Sequence, residues 1–220
     1  MKPARWVAAA VAAAVIVVVW MAFRAAGPES GRGGTDDESG RPGEVEMHRA
    51  MDESDYVEYV GVTPELPVSF RYPGAWRLQE EAGQVERYRQ VRVLGPRNLE
   101  DSYSAYFAVY GAPVTARGGT HQDLEAFISN YTAHLQQGAQ VLADTDSAVA
   151  GGRARDLTVS FTLPPWHHRD LKPVEVPVQQ RVILFERDRT LYQLTYSADA
   201  REYDRHAAVF EKLLKSFRIQ

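Results

Sequence analysis

The chain has 220 residues, of which 45% are hydrophobic and 25% are charged, and its formal net charge is −4. These values are those of an ordinary globular protein, and the length allows one domain or two. There is no cysteine, which excludes disulfides, zinc–thiolate sites, thiol nucleophiles and the lipid-modified cysteine of a bacterial lipoprotein.

The charges divide the chain into three parts. Residues 1–24 carry three bases and no acid, and residues 25–60 carry ten acids and three bases, so their net charges are +3 and −7. This leaves nineteen acids and nineteen bases in residues 61–220, which are therefore neutral. A protein that binds nucleic acid needs a basic face, so the balance argues against nucleic acid as a partner.

The first predicted element is an uncharged apolar run of eighteen residues, 6–23. As a helix it would be about 27 Å long, which is close to the thickness of the hydrocarbon layer of a bilayer. Trp6 and Trp20 lie near its ends, where indole rings favour the membrane interface. The run predicts a single transmembrane helix that contacts the lipid bilayer through residues 6–23.

This segment admits two interpretations, a retained signal anchor or a cleaved signal peptide. Cleavage after Ala26 would place Arg24 at the −3 position, and cleavage after Ala22 would place Trp20 there, whereas a small residue is required. We therefore expect a retained anchor. Because basic residues precede the run and an acidic stretch follows it, we expect a cytoplasmic N-terminus and an extracytoplasmic C-terminal domain in a single-pass membrane protein.

Residues 25–60 are expected to form a flexible acidic linker. Glycine, proline and acidic residues dominate residues 27–46, and such a composition leaves little to bury. Residues 47–60 are expected to form a short helix or to lead directly into the domain. The predicted organisation is a cytoplasmic stub and anchor (1–24), the linker (25–60) and one folded domain (61–220).

The pattern of the domain predicts strands, a helix, more strands and a final helix. Apolar alternation and Gly/Pro turns predict strands near residues 67–72, 76–80, 84–94, 103–110, 140–143, 153–162, 178–186 and 190–197. Apolar faces at helical spacing predict two helices. Thr120 and Asp123 resemble a capping box at the start of the first, which is expected to stop near Gly138, and Asp199 and Glu202 are expected to cap the second as a pair. Short connections favour a mostly antiparallel sheet, so the predicted class is α+β with one helix on each face.

Both ends of this domain resemble a known family. Residues 70–76 (FRYPGAW) fit the F-x-Y-P-x-x-W opening of PsbP-like domains, and residues 191–198 (LYQLTYSA) and 210–217 (FEKLLKSF) resemble their closing strand and helix. The resemblance covers residues 66–220 and is similar to the DcrB/LpqN-type bacterial envelope branch. It implies an α/β/α sandwich with a central, mostly antiparallel sheet. It also implies little about chemistry, because members of the superfamily are mostly non-enzymatic.

His167, His168 and Asp170 form the most metal-like cluster in the sequence. Two imidazoles and a carboxylate are suitable ligands for a metal ion. However, neighbouring residues of an extended chain point to opposite sides, and no further ligand is obvious nearby. The predicted loop 164–176 is therefore either a solvated loop, which we favour, or a metal or ligand site.

No catalytic motif is present. There is no G-x-S-x-G, and the Gly-Gly pairs at 118–119 and 151–152 lack the Lys-Ser/Thr of a phosphate loop, so they indicate turns. Several arginines recur on predicted strands and would form an anion site only if they shared one face; they are Arg87, Arg89, Arg92, Arg153, Arg155 and Arg181.

We therefore predict a protein that is not an enzyme and has no cofactor. The predicted function is that of a non-catalytic, membrane-anchored extracytoplasmic module that binds or stabilises a membrane-associated protein partner. The alternative is a protein of the cell envelope that binds a small ligand or a metal ion.

Overall fold

The computed structural model describes residues 53–83, 88–115, 123–164 and 175–220. The chain divides into two units, Met1–Asp55 and Tyr56–Gln220. The predicted transmembrane helix, most of the linker and the cluster of His167, His168 and Asp170 lie outside the described residues. Among the residues that are described, no helix has the length and apolar character needed to cross a membrane.

Ten strands and two α-helices make up the described part of the second unit. In chain order they are β1 (Tyr56–Val60), β2 (Val68–Pro73), β3 (Arg77–Gly83), β4 (Tyr88–Arg97), β5 (Ser104–Pro113), α1 (Leu124–Ala133), β6 (Gln140–Val149), β7 (Gly152–Leu163), β8 (Val176–Arg187), β9 (Thr190–Asp199), α2 (Tyr203–Ser216) and β10 (Arg218–Ile219). Seven strands form the main sheet in the order β3-β4-β5-β9-β8-β7-β6, and the other three form a small sheet in the order β1-β2-β10. Every pair of neighbouring strands is antiparallel.

Strand β8 shows why both faces of the main sheet are covered. Val182 and Leu184 belong to the apolar cluster of α1, whereas Ile183 and Phe185 belong to the cluster of α2. Successive side chains of a strand point to opposite faces, and burying each of these side chains stabilises the fold by about 1.5–3 kcal/mol. The predicted α+β class with a mostly antiparallel sheet is confirmed, and the two helices lie on opposite faces.

The small sheet packs on the same face of the main sheet as α2. The ring centroid of Phe70 in β2 lies 5.5 Å from that of Phe107 in β5, which in turn lies 5.6 Å from that of Phe210 in α2. A few residues later, the ring of Trp76 packs directly against Gly95, where an added Cβ would lie 2.8 Å from the indole. The aromatic residues of the F-x-Y-P-x-x-W pattern thus serve core packing.

Two strands depart from the expectations. Tyr56–Val60, which the sequence places in the linker or a short helix, forms β1 and pairs with β2, with Tyr56 opposite Pro73. Arg218–Ile219, for which no strand is predicted, pairs with the same β2. Both strands are short, and their partner is β2, so hydrogen bonding to β2 decides their conformation rather than a periodicity of their own.

Helix α1 begins and ends differently from the prediction. Its N-cap is Asp123, whose carboxylate accepts a hydrogen bond from the N–H of Ala126 at 2.8 Å. The helix ends at Ala133, before the predicted stop at Gly138. Gly138 instead has a φ of +84° in the turn to β6, a conformation that glycine adopts without steric cost.

Helix α2 begins at Tyr203, and its N-cap Glu202 makes no side-chain cap hydrogen bond. The predicted capping pair of Asp199 and Glu202 is therefore wrong. Asp199 is the last residue of β9, and its carboxylate accepts hydrogen bonds from Asn98 and Arg201. A contact with the distant β4–β5 loop thus replaces the local cap.

Candidate functional site

A cleft of about 670 Å³ opens on the α2 side of the main sheet. Ile183 of β8, together with Leu214 and Phe217 at the end of α2, lines it with apolar side chains. The turn of the β6–β7 hairpin borders the cleft at residues 147–150, and β10 borders it too. Its volume lies within the range of about 300–1,000 Å³ that is typical of binding sites in proteins.

The hairpin wall belongs to the edge of the main sheet. Strand β6 runs well beyond the predicted residues 140–143, and its first seven residues are exposed, so apolar alternation does not reveal its length. Ser147 lies opposite Ala154, which belongs to the cluster of α2. Because side chains alternate along a strand, Ser147 and Val149 face the cleft and Ala148 faces the other way.

The turn of this hairpin is tight. Ala150 and Gly151 have φ values of +51° and +77°. Positive φ at both central residues is required by a two-residue hairpin turn whose twist matches that of the flanking strands. The Gly-Gly pair at 151–152, which the sequence indicates as a turn, therefore shapes one wall of the cleft. That pair is a sequence signal for the turn, and it does not by itself point to binding.

The opposite wall presents an unpaired strand edge. The N–H of Gln220 donates a hydrogen bond of 2.7 Å to the carbonyl oxygen of Pro67, and Ile219 lies opposite Val68. Hydrogen-bonded and non-hydrogen-bonded pairs alternate between antiparallel strands, so the N–H and C=O of Ile219 point away from β2. Within the described residues, β10 pairs with β2 alone.

One arginine beside the cleft is held by acids. Arg181 binds Asp156 through Nη2 at 2.7 Å and Glu211 through Nη1 at 2.5 Å, and its guanidinium lies 5.4 Å from the ring centroid of Phe210. Hydrogen bonds, above all to Asp156, raise the pKa of Arg181 beyond its usual range. Arg181 therefore braces β8 against α2 and contributes little net charge.

Two further arginines, Arg187 and Arg218, and one acid, Asp188, line the rim of the cleft and give it a net positive charge. The Nε of Arg187 lies 3.4 Å from Asp188, and both side chains are largely exposed, so this pair is weak. Arg218 donates hydrogen bonds to the carbonyl oxygens of Lys215 and Phe217 at 2.8 and 2.7 Å. The arrangement suits an extended peptide segment that carries both apolar and acidic side chains.

The arginines noted in the sequence do not share one face. Leu184 lies opposite Arg155 and packs with α1, whereas Val91 and Val93, on either side of Arg92, pack with α2. Because side chains alternate along a strand, Arg92, Arg153 and Arg155 lie on the α1 face. Arg89 and Arg181 lie on the α2 face. Arg87 lies outside the described residues. A single anion site built from all of them is therefore ruled out.

The metal-like cluster stays a prediction, because His167, His168 and Asp170 lie outside the described residues. Elsewhere in the described ranges, no group of three or more His, Asp or Glu side chains is arranged to hold a metal ion. The cleft and the metal-like loop are thus separate candidates. Sequence reasoning missed the cleft because its walls come from strands that are distant in the chain.

Comparison with known proteins gives matches among solved structures. No protein-family profile matches the chain, and neither does any curated protein. Cyanobacterial PsbP (CyanoP) of Synechocystis sp. PCC 6803 is 16% identical with a TM-score of 0.48, and the match covers 82% of this chain and 98% of that one. LpqN, involved in cell envelope biogenesis of Mycobacterium tuberculosis, is 14% identical with a TM-score of 0.48, and the match covers 74% of this chain and 89% of that one.

A third structure, from Bacteroides thetaiotaomicron, is 9% identical with a TM-score of 0.45, and the match covers 74% of this chain and 48% of that one. This chain therefore spans about half the length of that protein. At such identities the likeness is one of fold. The chain is similar to these solved structures, and residues 70–76, 191–198 and 210–217 resemble the motifs of PsbP-like domains.

Proposed function

We propose that this protein is a non-catalytic, membrane-anchored extracytoplasmic module that binds an extended segment of a membrane-associated partner protein. The segment would lie in the cleft between the β6–β7 hairpin and β10. The observation that carries the proposal is the cleft itself, because it combines an unpaired strand edge, an apolar lining and a cationic rim.

Each part of the cleft has a role in recognising such a segment. The outward N–H and C=O of Ile219 pair with the backbone of an incoming strand, which is the mode of β-strand addition. An apolar side chain of the segment packs over Ile183 and Phe217. An acidic side chain forms a charge-assisted hydrogen bond with Arg187 or Arg218. The preferred segment is therefore extended, with apolar and acidic residues.

The sequence supports a partner near the membrane surface. Residues 6–23 have the length and apolar character of a membrane anchor. If residues 25–52 behave as the flexible linker that the sequence predicts, their root-mean-square span is roughly 30 Å. The domain would then stay within about that distance of the bilayer surface. Its partner would therefore be an integral or peripheral membrane protein.

Photo-crosslinking in intact cells tests the cleft. A photoreactive amino acid at Gln220, which lines the cleft, should crosslink to a specific membrane-fraction protein, and one at Val62, which is 90% exposed elsewhere, should not. Ser147→Trp should abolish the product because its indole projects into the cleft and obstructs it. The neighbouring Ala148→Trp, which points to the other face, is the matched control and should leave it unchanged. A product that persists in Ser147→Trp would refute the assignment.

Cysteine labelling tests the topology, because the chain has no native cysteine. Leu99 is 86% exposed, so Leu99→Cys should react with a membrane-impermeant maleimide in intact cells. Pro3→Cys, on the cytoplasmic side of the predicted anchor, should react only after lysis. Recovery of the domain in the soluble extracytoplasmic fraction would contradict the anchor without bearing on the cleft.

A further inference from the structure

Arg92 is a buried cation on the α1 face of the main sheet. Its exposed fraction is 5%, and its Nε is buried without a hydrogen-bond partner. The guanidinium lies 5.8 Å from the ring centroid of Tyr106, and within the described residues no acid forms an ion pair with it. An arginine stays charged in proteins, and a buried charge without a counterion costs several kcal/mol.

The strand register shows what surrounds this cation. Arg92 lies opposite Ala108, which lies opposite Thr195 on the next strand, and all three are buried. Ala108 offers neither charge nor a hydrogen-bonding group. Gln90 lies two residues before Arg92 on the same face of β4 and is also buried. The immediate neighbours are thus small or neutral, and none compensates the positive charge.

The next row of the same face supplies hydroxyl and amide groups. Tyr106 lies opposite Ser197, which lies opposite Gln180, and the hydroxyl of Tyr103 is 2.7 Å from the Oγ of Ser197. Burial raises the pKa of both Tyr103 and Tyr106 above the ordinary value. Both phenols therefore keep their protons at neutral pH, so neither neutralises Arg92 as a phenolate.

Other arginines of the main sheet form ion pairs with acids. Arg181, which is partly buried on the opposite face, binds both Asp156 and Glu211. Arg155 likewise binds Asp144 and Asp146. Arg92 is more deeply buried than either, yet no acid in the described part of the chain compensates it in this way. A counterion from outside the chain would supply it.

We propose that Arg92 is the cation of a buried oxyanion-binding site on the α1 face, which takes a carboxylate or phosphate group of a ligand. The guanidinium donates to the anion from its planar fork, and the neighbouring hydroxyl and amide groups of Tyr106, Ser197 and Gln180 line the site. This site lies on the opposite face of the sheet from the peptide cleft and goes beyond the proposed function. Its ligand is either a small soluble anion or the headgroup of a lipid.

Thermal unfolding of the full chain in phosphatidylcholine nanodiscs tests the soluble source. Inorganic phosphate or succinate, at constant ionic strength with sodium chloride, should raise Tm by about 5–10 °C at an anion concentration about 100-fold above Kd. Arg92→Met should abolish this rise, and Arg92→Lys should keep part of it. Arg153→Met is the matched control, because Arg153 is 67% exposed on the same face, and it should keep the full rise.

The stability of Arg92→Met without added anion gives a second readout. Replacing an uncompensated buried charge by an apolar side chain of similar length is neutral or stabilising, so this variant should match or exceed the wild-type Tm. A Tm well below wild type would mean that Arg92 has a structural partner, and it would overturn the proposal.

Nanodiscs that contain phosphatidylglycerol distinguish the lipid source. A rise in Tm that depends on Arg92 and appears only in these discs would assign the site to a lipid phosphate. If wild type and Arg92→Met respond equally to phosphate, succinate and phosphatidylglycerol, or neither responds to any of them, the proposal is wrong.

Discussion

Asp199 is a buried carboxylate that ties the β4–β5 loop to the connection between β9 and α2. Its exposed fraction is 2%. It accepts hydrogen bonds from Nδ2 of Asn98 at 2.8 Å and from the backbone N–H and Nε of Arg201 at 3.0 and 2.9 Å. Arg201 also binds Glu100 in the same loop. The substitution Asp199→Asn keeps the shape of the side chain and removes its charge, so we expect it to destabilise the domain.

The pKa of Asp199 sets the magnitude. Hydrogen bonds, chiefly from the side chain of Arg201, lower this pKa from the ordinary value of 3.8 to about 2. At roughly 1.4 kcal/mol per pH unit, the difference corresponds to about 2.5 kcal/mol of folding free energy at neutral pH. Because the pKa is lower in the folded state, this stabilisation is complete above about pH 4 and is lost as the pH falls through 2.

Urea unfolding of the full chain in detergent micelles, followed by circular dichroism, measures this contribution. At pH 7 the free energy of unfolding of Asp199→Asn should be about 2–3 kcal/mol below wild type, and at pH 2.5 the difference should shrink to about 1 kcal/mol. The control is Asp146→Asn, whose carboxylate is 66% exposed and should contribute less than about 0.5 kcal/mol. A loss of equal size at both pH values would refute the electrostatic reasoning.

Three further predictions concern the backbone, the core and pH. The β8–β9 turn holds Asp188 and Arg189 at φ values of +50° and +60°. Because glycine adopts such angles freely, the substitution Arg189→Gly should raise the Tm measured by calorimetry by about 2–4 °C. A lower Tm would contradict this prediction. The substitution Gly95→Ala places a Cβ within 2.8 Å of the ring of Trp76. It should lower the free energy of unfolding in urea by about 1–3 kcal/mol. Wild-type stability of this variant would count against the packing argument. Burial lowers the pKa of His206 below its ordinary value of 6.5. The contribution of neutral His206 to stability should therefore be complete above about pH 6.5 and fall as the pH drops below it. The substitution His206→Phe should flatten the dependence of stability on pH between pH 7 and 5, and an unchanged dependence would show that another group is responsible.

Local pattern was enough to predict most of the sheet. Strand β8 carries apolar residues on both faces, and its hairpin with β9 turns at Asp188 and Arg189, close to where the sequence indicates. The apolar stripe of α2 likewise predicts its docking, and Phe210 lies in the core. These elements are predictable because their alternation depends on residues a few positions apart.

Other elements gave no such signal. Strand β6 is exposed along most of its length, so it lacks the alternation by which strands are recognised. Strand β10 has only two residues, and its conformation follows from pairing with β2. The cleft borders on both of these strands, which is why no motif in the sequence marks it.

The sequence by itself determined the separation of charge along the chain, the absence of cysteine chemistry, the apolar run at residues 6–23 and the α+β class. Each of these depends on composition or on neighbours in the chain. Only the tertiary structure decided that Asp199 has Asn98 and Arg201 as partners, that Arg92 has no acid among the described residues, and that β10 lies beside a cleft. These features depend on contacts between residues far apart in sequence, and such contacts follow from strand order and register, which local periodicity does not specify.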